Sequence, residues 1–272
     1  MNEIAVIAGA ILLACCGLAA GCGGAARISP QPASAVGQQW VLQDELSDEF
    51  NGQALDLKKW DNDVADWGVW SWEPENVWIE NGLLKLRMHY KVHERQGQKL
   101  FYTSGIIKSK APPIKYGCFE ARIKAAPLYP GVCPAFWAYR TEKDLWTEID
   151  FVELTERSRS VRLIDTHSPV FRHPKLAAGT RLLEPRTWEA PWDPRDAFHV
   201  YGCEWDEAEI KWFIDGQQVA SRKNEFWHQP LDVVVSLGVR SPLKEHPSPE
   251  GFPTAFEVDY VRVWKVKGAD NP

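Results

Sequence analysis

The chain has 272 residues, enough for one large domain or two ordinary ones around a substantial core. Its 31 Lys and Arg stand against 37 Asp and Glu, a net charge of −6 with the charges scattered, so the basic surface that a nucleic-acid binder needs is missing. A hydrophobic content of 44% with 25% charged residues excludes a disordered chain and a polytopic membrane protein. The outlier is 14 Trp. An indole N–H needs a partner wherever it is buried, so such an excess points to flat amphipathic contact surface as well as core.

In chain order, residues 1–21 read as a signal peptide: residues 4–20 form an uncharged apolar run too short for a comfortable membrane span, followed by small residues. Ala19-Ala20-Gly21-Cys22 resembles a bacterial lipobox. Export is therefore expected, either as a secreted protein or with lipidated Cys22 tethering it to the cell envelope. Residues 22–39 are small, Pro-containing and non-periodic, the composition of a flexible linker.

The folded domain is expected over 40–268. Strand-like runs follow at Leu83–His89, Gly105–Lys110, Gly117–Lys124, Ala135–Arg140, Thr147–Leu154, Val161–His167, His199–Asp206, Glu209–Asp215, Val233–Val239 and Phe256–Val266. Asn81-Gly82 and Asp215-Gly216 sit between such runs as tight hairpin turns should. With no helical periodicity of any length, ten or more strands imply an all-β sandwich or closed barrel. Beyond Cys22, the domain holds Cys118, Cys133 and Cys203. Buried free thiols are the expectation, a Cys118–Cys133 bridge the alternative, and no spacing suggests zinc.

The most informative run is Trp146-Thr147-Glu148-Ile149-Asp150-Phe151-Val152-Glu153. On a strand Glu148 and Asp150 share one face, while Glu153 is out of phase. A β-bulge between Asp150 and Glu153 would add one residue and bring Glu153 round to the same face. Three like charges on one strand are unfavourable unless protons are shared and pKa values pushed apart, the arrangement that two-carboxylate hydrolysis of a glycosidic bond requires. The alternative is a solvated strand face, which the flanking Ile149, Phe151 and Val152 disfavour.

Here the sequence resembles glycoside hydrolase family 16, whose signature is Glu-x-Asp-x-x-Glu. The likeness extends over 40–266, through Glu75-Asn76-Val77, Tyr116-Gly117-Cys118-Phe119-Glu120-Ala121-Arg122, Pro134-Ala135-Phe136-Trp137, Trp212-Phe213-Ile214-Asp215-Gly216 and Asp259-Tyr260-Val261-Arg262-Val263. The resemblance implies a jelly-roll β-sandwich of two antiparallel sheets with a concave substrate cleft. It implies a retaining mechanism in which Glu148 is the nucleophile, Glu153 the general acid/base and Asp150 the residue between them that steers protonation, with two carboxylate neighbours raising the proton affinity of Glu153. No cofactor is needed for that chemistry. The resemblance also implies a structural calcium near Asp259, with Glu49 as a possible contributor.

Within the family, Ala65–Trp72, Phe101–Lys110, Gly131–Tyr139 and Glu153–Glu156 look most like the κ-carrageenase-type branch, which acts on β-1,4 linkages of sulfated red-algal galactans such as κ-carrageenan or furcellaran. Trp67, Trp137 and Trp146, then Trp70 and Trp72, are candidate sugar platforms. Arg240, at the end of a strand, is the preferred sulfate contact, with Arg157, Arg159, Arg162, Arg172 and His173 behind it. His167 is either a cleft contact or a structural histidine. A family 16 agarase, porphyranase or β-glucanase and a lectin-like binding module remain the alternatives. A monomer with a polysaccharide substrate is expected.

Overall fold

Segments such as Gly117–Lys124 and Glu209–Ile214 alternate buried and half-exposed residues, the period-2 pattern of strands with one face on a core. The computed structural model describes residues 39–128, 131–143, 145–154, 162–178, 180–183 and 186–268. The expected leader, linker and Cys22, together with Arg157 and Arg159, lie outside them. No helix among the described residues is long and apolar enough to cross a membrane.

Two sheets result. The first runs Gln217–Lys223, Glu209–Ile214, His199–Trp205, Gly117–Lys124, Thr254–Val266, Leu83–Arg95, Gln98–Ser104 and Trp70–Trp72, with Trp40–Leu42 and Val77–Glu80 added at its flanks. The second runs Arg181–Leu182, Val170–Phe171, Leu145–Glu153, Val132–Glu142, Asp232–Val239, Ile106–Ser109 and Trp60–Asp61, and Leu163–His167 and Arg186–Glu189 extend it beside the acidic strand. Pairing is antiparallel except between Trp70–Trp72 and Gln98–Ser104. This is the expected jelly-roll sandwich. The strands that sequence periodicity misses are mostly two to four residues long, too short to show a period; Gln98–Ser104 and Gln217–Lys223 complete hairpins whose first strands it does find.

The core lies between the sheets. Phe119 of the first sheet stacks on Phe151 of the second at 4.6 Å, and Phe136 meets the same ring edge-on at 4.8 Å. Both predicted hairpin turns are present, with positive φ at Asn81 and Gly82 and at Asp215 and Gly216, as a type I′ turn demands. Cys118, Cys133 and Cys203 are buried free thiols, so the alternative bridge does not form.

Candidate active site

The acidic strand Leu145–Glu153 lies inside the second sheet, hydrogen-bonded on one side to Val132–Glu142. Along that pairing Asp150 opposes Trp137, Val152 opposes Phe136 and Glu153 opposes Ala135. Phe151 is therefore the extra residue of a bulge, and Phe151 and Val152 both turn inward. Burying the Phe151 ring is worth about 1.5–3 kcal/mol, which drives the extra residue toward the core and the next one, Glu153, back to the outer face. The result is Glu148, Asp150 and Glu153 on one face, lining a cleft of about 710 Å³.

Two carbonyls of this strand accept from indoles that lie outside its sheet. Trp212 Nε1 donates to the Asp150 carbonyl at 2.9 Å, and Trp227 Nε1 donates to the Glu148 carbonyl at 2.9 Å. Trp227 is held in turn by its own carbonyl, which accepts from Trp205 Nε1. Three of the surplus tryptophans thus clamp the backbone that carries the acids. Sequence spacing contains no signal for this, because the partners come from other strands and loops.

Glu148 Oε2 accepts from Trp146 Nε1 at 2.8 Å. Burial in the cleft floor pushes the Glu148 carboxyl well above the ordinary range; the Asp150 charge, a hydrogen bond shared with Asp150 and the Glu153 charge add to that, while the Trp146 N–H opposes it. Asp150 is 2% exposed, with Oδ2 2.9 Å from His167 Nε2. The same imidazole nitrogen lies 3.5 Å from Glu153 Oε2. Polar atoms of Glu148, Asp150 and His167 come within 4.8 Å of one another, a cluster that either shares protons or could hold a small cation. Glu153 Oε1 accepts from Arg240 Nη2 and, at 3.7 Å, from the Cys133 thiol.

The alternatives for His167 narrow, and the surroundings expected for Glu153 change. His167, 2% exposed, lies against Asp150 and Glu153 and is not among the cleft-lining residues, which matches the structural of its two readings. Glu153 is surrounded not by two carboxylates alone but also by the Arg240 guanidinium, which reaches back over the cleft floor from its strand end.

The tryptophans divide by which ring faces are free. Trp146 is stacked between Tyr139 at 5.2 Å on one neighbouring strand and Phe171 at 5.3 Å on the other, so it presents an edge and an N–H, not a platform. Trp70 and Trp72 are buried, in edge contact with each other. Trp67 remains partly exposed on the cleft wall, edge-on to Trp72, Trp137 and Tyr139. Trp137 stacks on Tyr139 at 4.6 Å and donates its N–H to Ser236 Oγ at 3.1 Å. Sequence reasoning overlooked Lys108 and Arg140, which line the same cleft and are both paired to Asp232, at 3.1 and 3.4 Å. Their register is visible only after the strands have paired.

The family profile described as "Beta-porphyranase A-D, GH16 domain" matches residues 40–266. The chain belongs to glycoside hydrolase family 16. The kappa-carrageenase of Pseudoalteromonas carrageenovora is 38% identical over 91% of this chain and 70% of its own length. The crystal structure of that enzyme with a kappa-carrageenan oligotetrasaccharide superposes with a TM-score of 0.76 at 36% identity, covering 87% of this chain and 99% of the other. A kappa-carrageenase from Zobellia galactanivorans superposes at 0.77 and 31% identity, covering 87% and 100%. This family 16 glycoside hydrolase therefore shares the fold of those enzymes over nearly their whole length.

The calcium expectation meets a different arrangement. Asp259 accepts from Arg122 Nη1 at 2.8 Å, and both oxygens of Glu49 are taken by Arg262 at 2.7 and 3.0 Å. Two carboxylates each neutralised by a guanidinium do not make the cage of six or more oxygens that calcium prefers, so these residues do not fit the ion.

Proposed function

We propose that this glycoside hydrolase is an endo-acting, retaining enzyme that cleaves β-1,4 linkages of a sulfated red-algal galactan of the κ-carrageenan or furcellaran type. The observation that carries this reading is the bulge that brings Glu148, Asp150 and Glu153 to one cleft face with the Arg240 guanidinium beside them. Three carboxylates alone would repel a sulfated ligand; an arginine among them offers it a charge-assisted hydrogen bond. The kappa-carrageenase relatives support the same substrate class.

Glu148 attacks the anomeric carbon while Glu153 protonates the leaving oxygen, and the glycosyl ester on Glu148 is then hydrolysed by water that Glu153 activates. The charge on Glu148 helps keep Glu153 protonated before attack. Once Glu148 is esterified that charge is gone, and Glu153 becomes the base. Asp150 shares a hydrogen bond with Glu148 and a histidine with Glu153, and so couples the two. Trp67 supplies the sugar-contacting wall, with the largely buried Trp137 behind it at the cleft surface. Export, with Cys22 either lipidated or part of a plain secreted form, and a monomeric state complete the proposal.

A second reading, β-porphyranase, is favoured by the description of the matching family profile. Reducing-sugar release on κ-carrageenan, furcellaran, porphyran, agarose and laminarin separates the two. Preferred hydrolysis of κ-carrageenan or furcellaran, with products of retained anomeric configuration, is expected; preference for porphyran, agarose or laminarin overturns the substrate assignment and leaves the family mechanism.

A further inference from the structure

Arg240 enters the cleft by a specific route. Its backbone N–H donates to Gly131 O at 2.9 Å, its Nη1 donates to Val239 O at 3.2 Å, and its Nη2 ends on Glu153 Oε1. Gly238 leaves room beside this route: a Cβ there would lie 3.0 Å from Arg240 Nη1, a tight contact, and 3.6 Å from the Trp70 ring. The two ends of the pair differ in access, with the arginine side chain 31% exposed and the glutamate 7%. Both residues line the cleft, and the arginine is the more accessible of the two to a ligand there.

Among the described residues, the other titratable groups facing Glu153 are Glu148 and Asp150 on its own strand, Cys133 on Val132–Glu142, and His167 and Asp165 on Leu163–His167. Arg240 is the one permanent cation in this set. As long as it stays on Glu153 it favours the ionised carboxylate, which is the wrong form for donating a proton.

We propose that Arg240 is a charge exchanger: in the free enzyme it pairs with Glu153, and a sulfate ester of the bound substrate takes it over, so that Glu153 picks up from solvent the proton it delivers to the leaving oxygen. The inference rests on the sulfated-galactan reading and deepens it. Both halves of the exchange have the same sign, since Glu153 loses a cation and gains an anion nearby. Sulfate matches the guanidinium fork, and sugar contacts elsewhere in the cleft supply the binding energy that draws Arg240 off Glu153. A neutral galactan leaves Arg240 where it is, so sulfation acts on the chemical step as well as on binding.

The test is the pH dependence of wild-type hydrolysis of a sulfated galactan. The basic limb of kcat/KM reports Glu153 in the free enzyme, and that of kcat reports it in the complex. The kcat limb is expected about one pH unit or more above the kcat/KM limb. In Arg240→Gln the kcat/KM limb should rise and the gap close, although KM worsens; Arg240→Lys, which keeps the charge, should retain part of the gap. Coincident limbs in the wild type, or an unmoved kcat/KM limb in a folded Arg240→Gln, overturn the exchange while leaving the substrate reading intact. Absence of hydrolysis of any sulfated polymer overturns both.

Discussion

The indole of Trp212, in the first sheet, donates across the core to the backbone carbonyl of Asp150, in the second, at 2.9 Å. The acceptor is the residue at which the bulge begins, so a hydrogen bond between layers sets the pitch of the strand on which Glu148 and Glu153 stand. Trp212→Phe keeps an aromatic ring but removes the donor and the pyrrole half of the indole, so a buried carbonyl left unsatisfied at about 1–3 kcal/mol adds to the cost of a cavity. The variant should fold, melt lower by about 2–4 °C per kcal/mol lost, and lose kcat at least about tenfold with little change in KM. A loss confined to Tm would show that the bond serves the fold alone.

Trp146 is expected to act through its N–H. Trp146→Phe preserves the stack between Tyr139 and Phe171 but deprives ionised Glu148 of a donor. The proton affinity of Glu148 then rises, and the acid limb of kcat/KM moves to higher pH, with the strongest loss of activity below neutrality. An unshifted limb with uniformly lower activity would point to packing instead.

Glu148→Ala and Glu153→Ala should each abolish hydrolysis with the fold intact by circular dichroism. Azide should restore turnover only at position 148, with inversion at the anomeric carbon, because a small anion replaces a missing nucleophile. Substantial residual activity in either variant contradicts the assigned roles.

The clustered acids also carry a stability consequence. A carboxyl whose proton affinity is higher in the folded than in the unfolded chain stabilises the fold below the unfolded value of about 4.3 and loses that contribution as pH rises through the folded value. Glu148→Gln removes the charge at nearly constant shape. Its melting temperature should exceed that of the wild type at pH 7–8, and the difference should shrink toward pH 4. A constant difference across that range would assign the effect to something other than titration.

Arg122 on Asp259 and Arg262 on Glu49 lead to the expectation that a chelator leaves the melting temperature unchanged. Arg122→Ala should instead destabilise modestly, since the pair is about one-third exposed and screened. A fall of several degrees on chelation, reversed by calcium, would restore the metal.

Local sequence was enough for the sandwich, because period-2 alternation in runs such as Gly117–Lys124 and positive-φ turns at Asn81-Gly82 and Asp215-Gly216 act within a few residues. It was also enough for the bulge: with Ile149 and Phe151 apolar and Glu148, Asp150 and Glu153 acidic, only one inserted residue puts every side chain on a favourable face. The relations between strands were decided by tertiary structure. Arg240 reads as a residue at an open rim, yet its side chain folds back along the cleft and onto Glu153. Trp146 reads as a platform, yet pairing with Val132–Glu142 and Val170–Phe171 covers both its faces. Hydrophobic alternation is a property of one strand, whereas the partner of a guanidinium and the open face of an indole depend on register among several, and register is settled only when the two sheets close on their common core.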